Sequence, residues 1–186
     1  GPDVVSADEH PRPNTALGDL TKLKPVFKEN GTVTAGSASG ICDGAASLIL
    51  ATPEACATHN MTPLAKVVAW SRVGCDPSTM GIGPVPAIRN VLQAAHLTLH
   101  DIDIVEINEA FAAQYLACEK ALQLNRDVTN VNGGAIALIH PLAASGARIL
   151  THLTHELQRT NKRYAIGAAC IGGGQGIAVL LENASL

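Results

Sequence analysis

Three glycines in a row, Gly172-Gly173-Gly174, stand between two apolar runs, Tyr164–Ala169 and Ile177–Leu181. Glycine enters the left-handed backbone region without steric cost, and short runs of aliphatic residues bounded by glycine suit buried strands. The pattern predicts a hairpin: two strands folded back on each other through the glycines. Cys170 stands just before that turn, so a thiol faces a series of bare backbone amides. A thiol is a base or nucleophile only as thiolate, and its free pKa near ~8.5 makes modest local stabilisation sufficient. Without Cβ atoms, successive N–H groups can converge on a developing oxyanion. On these residues alone, a structural hairpin beside a buried cysteine reads equally well.

Upstream of the hairpin, strand-like and helix-like runs alternate. Leu64–Val73 reads as a strand, and Pro86–Ala95 as a helix with Pro86 in its first turn. Ile102–Ile107 is a buried-strand pattern, followed by a helix through Ala110–Leu122. A strand is expected within Val128–Leu138 and a helix over Ser145–Arg159. Such alternation predicts a layered α/β sheet, with five strands once the hairpin is counted. Before it, Ala45–Ala51 reads as a short strand and Pro53–His59 as a helix with Thr52 as N-cap. Residues 3–36 lack periodicity and read as extended and irregular.

The Ser145 helix places Ile149, Leu150, Leu153 and Leu157 on one stripe, and Arg148, His152, His155 and Arg159 on the other side. His152, His155 and Glu156 partly match a zincin pattern, but Arg159 stands where its second histidine is needed. A solvated polar face is the expectation there, and no metal.

Composition suits a buried sheet. Of 186 residues, 47% are hydrophobic, 16% charged and 3% aromatic, so small aliphatic side chains must build the core. A net charge of −3 provides no general attraction to nucleic acid or an anionic membrane. Charged residues or histidine interrupt every stretch that could span a bilayer. Five scattered cysteines, an odd number without a Cys-x-x-Cys pair, argue for reduced thiols.

Two further polar clusters fall at strand ends: Asn108-Glu109-Ala110-Phe111 after Ile107, and Asn130–Gly134 leading to Ile139-His140-Pro141. With Cys170 they supply an amide, an imidazole and a thiol where open α/β sheets gather their sites. Asn108 can equally cap the helix that follows, and a lone histidine is often structural. Two more segments, Val33–Gly40 and Met80-Gly81-Ile82-Gly83-Pro84, complete an ordered series.

In order and wording these segments resemble the thiolase family of C-acyltransferases, over Asp8 to Leu181. The wording of Asp76–Ile88 and Ala169–Val179 looks most like the mitochondrial 3-ketoacyl-CoA thiolase branch, beside acetyl-CoA acetyltransferases. The resemblance implies the C-terminal half of a thiolase: a layered α-β-α domain over 62–186 with a mixed five-stranded sheet. It also implies the last strand and helix of an N-terminal domain at 42–61. Residues 1–41 would be a loop-domain remnant that includes a tag scar at Gly1-Pro2.

By the same resemblance, Cys170 moves protons, while His140 and a water held by Asn108 form one oxyanion hole. Gly172 supplies a backbone donor to a second hole. Ser39 and Met80 would lie near the pantetheine and acyl group, Phe27 near the adenine of coenzyme A, and Phe111 beside them. Turn or core roles remain open for Ser39 and Met80. Coenzyme A and acyl-CoA would be substrates in thiolysis or Claisen condensation, with no permanently bound cofactor. The implied partner is an N-terminal half carrying the nucleophilic cysteine, within a homodimer or homotetramer. The implied setting is fatty-acid β-oxidation in mitochondria, with cytoplasm or peroxisome as alternatives.

No cysteine here matches that nucleophile, so the chain alone is expected to be inactive and to self-associate through Ala45–Ala51. Three residues depart from the family wording: Ile139 and Ala143 for glycines, and Ser37 for asparagine. They, and the missing nucleophile, motivate the alternative of a non-catalytic module that binds coenzyme A or another subunit.

Overall fold

The hairpin forms as the glycines require. The structure, a computed structural model, describes residues 4–186; Gly1-Pro2, read above as a tag scar, lies outside them. Strands β3 (Tyr164–Ile171) and β4 (Gln175–Asn183) pair antiparallel, with Cys170 opposite Gly176 and Ile171 opposite Gln175. Gly173 and Gly174 turn the chain at φ 82° and 88°. At Gly174 the need is double, because a Cβ would overlap the Cys75 carbonyl oxygen. That approach lets the Cys75 N–H donate to the Gly174 carbonyl at 2.7 Å.

The hairpin lies inside a four-stranded mixed sheet of order β1-β4-β3-β2. β1 (Ala65–Gly74) runs antiparallel to β4, and β2 (Ile104–Ile107) parallel to β3. Among the helices, α1 (Leu17–Leu20) and α2 (Pro53–Thr58) precede the sheet, and Thr52 Oγ1 accepts from Ala55 N as the expected N-cap. One face of the sheet carries α3 (Pro84–Ala95) and α4 (Ala112–Leu122), where Ile88, Val91, Ile107, Ile166, Leu180 and Cys118 are buried together. After the short α5 (Ala135–Leu138), α6 (Ser145–Thr160) covers the other face with Ile149, Leu153 and Leu157 against Ile104, Ala165 and Leu181. β2 is buried on both sides, as a parallel strand between helix layers should be. Among the described residues, no helix is long and apolar enough to cross a membrane.

Four strands, rather than the five expected, reflect one side chain. Within Val128–Leu138 only Thr129 bridges to Val105. At the next residue the chain turns away at φ 49°, and the Asn130 side chain takes over the ladder, its Oδ1 accepting from Ile107 N and its Nδ2 donating to Ile107 O. An amide side chain satisfies the strand edge that a fifth strand would otherwise cover. The remainder of that segment becomes α5.

Ala45–Ala51 is likewise not a strand. Ile49 and Leu50 are 84% and 81% exposed, and among the described residues the segment has no partner and forms no ladder. It still presents the apolar side chains that the expected self-association requires.

α6 overturns the expected solvated face. His155 is exposed, but Arg148 and His152 turn inward onto Glu106, a β2 residue with 2% exposure. Arg148 donates to one Glu106 oxygen at 2.9 Å, and His152 Nδ1 lies 2.5 Å from the other. Glu156 is buried too and pairs with Arg159.

The hydrogen bond to Glu106 raises the pKa of His152 above its ordinary value, more than burial lowers it. A raised histidine pKa stabilises the fold fully below the unfolded value near ~6.5, and that stabilisation is lost as pH rises through the folded value. His152→Gln should therefore cost most stability under mildly acidic conditions, with a deficit that shrinks as pH rises. Chemical denaturation of parent and variant across that range checks it.

Candidate active site at the ends of the parallel strands

Asn108 is the first residue beyond β2, and its N–H continues the parallel ladder by donating to Ala168 O at 2.9 Å. The side chain is 2% exposed and aimed at His140, with Nδ2 3.2 Å from His140 Nε2. Asn108 Oδ1 is buried and has no partner among the described residues. The helix-cap alternative for Asn108 fails, because Phe111 occupies the N-cap position of α4.

Four contacts hold His140. Its N–H donates to Gly40 O at 3.0 Å, and Ile41 bridges to it in parallel. Asn108 faces Nε2, and Nδ1 lies 2.5 Å from the Oγ of Ser145, the first residue of α6. Burial, and then the nearby Arg148 charge, lower the His140 pKa, so the ring is neutral at pH 7. Ile139 takes φ 70°, ψ 164°, a region that is essentially glycine's own. The β-branched residue thus follows the path expected of the glycine it replaces, and His140 stays on Asn108.

Cys170 lies on β3, two residues beyond the Ala168 that bonds Asn108, so thiol and amide occupy the same ends of neighbouring parallel strands. Its pKa is raised, mainly by burial and then by nearby Cys75. Among the described residues, no side chain hydrogen-bonds to it. As it stands, the thiol is protonated at neutral pH. Cys118, deeper on α4, is pushed up to about 11 by burial. Gly172 is exposed at the turn, and a Cβ there would meet nothing within 4 Å.

Two of the other expected residues, Ser39 and Phe27, reach the loop after Asn108 through the N-terminal segment. Ser39 donates from both N and Oγ to Ala110 O, each at 3.1 Å, and Ala112 N donates to Ser37 O. These bonds dock the extended segment onto the loop after Asn108. Phe27, 74% exposed, meets Phe111 edge-on with centroids 5.9 Å apart, beside a shallow cavity of about 180 Å³ lined by Phe27, Lys28, Gly31, Thr32 and Val33. Met80 sits half-buried in the 3-10 turn Pro77–Ile82, where its carbonyl lies 3.8 Å from Cys75 Sγ. The structure brings Asn108 and His140 into direct contact, and Phe27 onto Phe111. It makes no hydrogen bond from Cys170 to His140.

The sequence profile for "Thiolase, C-terminal domain" matches residues 61–183, and that for "Thiolase, N-terminal domain" matches residues 1–54. The chain belongs to the thiolase family. It is 60% identical over 183 residues to "3-ketoacyl-CoA thiolase, mitochondrial" of Bos taurus, covering 98% of this chain and 46% of that relative. It superposes on the crystal structure of human mitochondrial 3-ketoacyl-CoA thiolase in complex with CoA with TM-score 0.87, 55% identity, 96% coverage of this chain and 45% of that one. The Bacillus anthracis acetyl-CoA acetyltransferase matches with TM-score 0.91 and 49% identity, over 95% of this chain and 45% of that one. This thiolase chain thus spans less than half the length of the relatives it matches.

Sequence reasoning about this thiolase missed Ser145, Glu106 and Glu109. Glu109 accepts from Asn130 Nδ2 and from Ile136 N, both at 3.1 Å, and so fixes the loop that leads to His140. A glutamate within the otherwise apolar Ile104–Ile107 run, with Arg148 and His152 four apart on a helix, was the signal available for the Glu106 cluster.

Two measurements follow from this geometry. At Ile139 the usual order of alanine over glycine should invert: Ile139→Gly should be more stable than Ile139→Ala by about 1 kcal/mol or more, since only glycine relieves the positive φ. Paired denaturation curves decide it. Alkylation of Cys170, followed by mass spectrometry against pH, should inflect above the ordinary thiol value.

Proposed function

We propose that the protein is a thiolase acting on 3-oxoacyl-CoA thioesters, by thiolysis or by the reverse Claisen condensation. This chain would supply its proton-transfer half. The observation that carries the reading is the Asn108–His140 pair at the end of β2, beside Cys170 at the end of parallel β3. Cys170 would exchange protons with the substrate α-carbon or the coenzyme thiol. The orphaned, buried Asn108 Oδ1 is an acceptor suited to a bridging water, which with His140 would stabilise an enolate-like oxyanion. The Gly172 amide would serve the tetrahedral intermediate, opposite a donor from the missing nucleophile's backbone.

Binding follows the same geometry. Phe27 and Phe111 present an aromatic corner for the adenine end of coenzyme A, and Ser39 and Met80 would border the pantetheine and acyl path. We assign 62–186 to the C-terminal domain, 42–61 to the end of the N-terminal domain and 1–41 to the loop-domain remnant. A mitochondrial role in β-oxidation fits the named relatives.

The N-terminal half would dock on the α6 side of the sheet. There α6 lies over β3 and its neighbours but leaves β1 bare, with Trp70 61%, Val67 43% and Ile177 36% exposed. Trp70 pairs with Val179, and Val67 with Leu181, which places them on that same face. In this reading, dimer or tetramer formation belongs to the intact protein. The conformation of Ile139 weighs against a non-catalytic module, since the substituted loop still delivers His140 to Asn108.

Purified alone, the chain should show no cleavage of acetoacetyl-CoA, because a covalent nucleophile and half an oxyanion hole are missing. Joined to an N-terminal thiolase half carrying the nucleophilic cysteine, it should cleave the thioester, and Cys170→Ala should then lower turnover by about 100-fold or more. A folded, joined protein without turnover would overturn the enzymatic reading.

A further inference from the structure

Ser145 is the first residue of α6, is 3% exposed and carries a hydroxyl that contacts two groups. Oγ lies 2.5 Å from His140 Nδ1, and it donates to Pro141 O at 3.3 Å. A hydroxyl has a single proton. If that proton goes to Pro141, Oγ can only accept from the ring, and Nδ1 must carry hydrogen. The far end of the ring agrees. Asn108 Nδ2 is a donor and faces Nε2 at 3.2 Å, a contact that is attractive only if Nε2 is bare.

The chain of donors therefore runs in one direction, from Asn108 Nδ2–H to Nε2 and from Nδ1–H through Ser145 to the Pro141 carbonyl. Rotating the Asn108 amide would reverse it, but would leave a buried N–H where the carbonyl oxygen now stands alone. Orphaned buried N–H groups are rarer than under-satisfied carbonyls.

We propose that Ser145 is a positioning residue for His140, holding the neutral ring as its Nδ1–H tautomer with the Nε2 lone pair turned into the site. The inference rests on reading His140 as a site residue and adds a property to it. The resting ring is a proton acceptor at Nε2. It would become a donor to a thioester oxygen only after taking a proton there, and Asn108 Nδ2 would then have to move off Nε2. Ser145 accepts from Nδ1–H in both states and does not need to turn.

The test uses the chain as it stands and does not depend on turnover. Long-range 1H–15N correlation spectra of 15N-labelled protein, at mildly alkaline pH, report which ring nitrogen is protonated; loss of one ring in His140→Gln assigns the signal. The expected result is a protonated Nδ1 and an imine-type Nε2. Ser145→Ala should shift the ring towards the Nε2–H form, and Ser145→Thr, which keeps the hydroxyl, should restore the parent pattern. An Nε2–H tautomer in the parent, or a tautomer unmoved by Ser145→Ala in folded protein, overturns the proposal. The parent spectrum is decisive even if Ser145→Ala does not fold. Failure here leaves the acyltransferase reading intact, and failure of the joined protein to turn over leaves the tautomer result intact.

Discussion

A single buried carboxyl anchors the site to the sheet. Glu106 stands in the most enclosed strand, with both oxygens engaged by side chains of α6. A buried acid is tolerated only when paired, and removing one partner of such a pair typically costs about 3–5 kcal/mol. That requirement sets the rotation and height of α6 over β2. Ser145, Arg148 and His152 follow at helical spacing along one side of α6, so the helix start that meets His140 is fixed by contacts one and two turns further on. The neutral state of His140 depends on the same arrangement, since Arg148 is one of the two causes of its lowered pKa.

Cys170 is a thiol whose surroundings in this chain favour its protonated form. The hairpin presents it at a strand end, and the Gly174–Cys75 contact closes the turn around it. Among the described residues no charged group stabilises its thiolate, and burial opposes it. Lowering its pKa would need a donor or charge that the described residues do not place beside it. A thiol that is protonated at rest has a proton to give, which is what the proposed proton-transfer role would ask of Cys170.

Most elements of the layered α/β architecture were legible in the sequence, because glycine, proline and apolar periodicity act locally. The hairpin, Thr52 as N-cap and the apolar stripe of α6 all came from such signals. What misled were polar groups whose partners lie far along the chain. Asn130 reads as a turn residue and gives no sign that it will stand in for a strand. Arg148 and His152 read as solvent-facing because their helix, taken alone, cannot show that Glu106 waits 42 and 46 residues upstream. Of the candidate site, Asn108 and His140 are legible as polar residues after separate apolar runs, but their contact is set by the fold. Ser145 gives no such sign, since a serine at a helix start has an ordinary capping explanation.

The sheet order carries a consequence for how the protein is made. β1 is the first strand of the sheet in sequence, yet its only ladder is to β4, about a hundred residues later. Until β4 has been synthesised, β1 lacks its one partner among the described residues, and β3 lacks the antiparallel partner that separates the two. Domains emerge from the ribosome N-terminal end first, at roughly 5–20 residues per second, so this sheet stays open for several seconds after β1 appears. Throughout that interval Trp70 and Val67 are exposed on an unpaired strand, a surface suited to a chaperone.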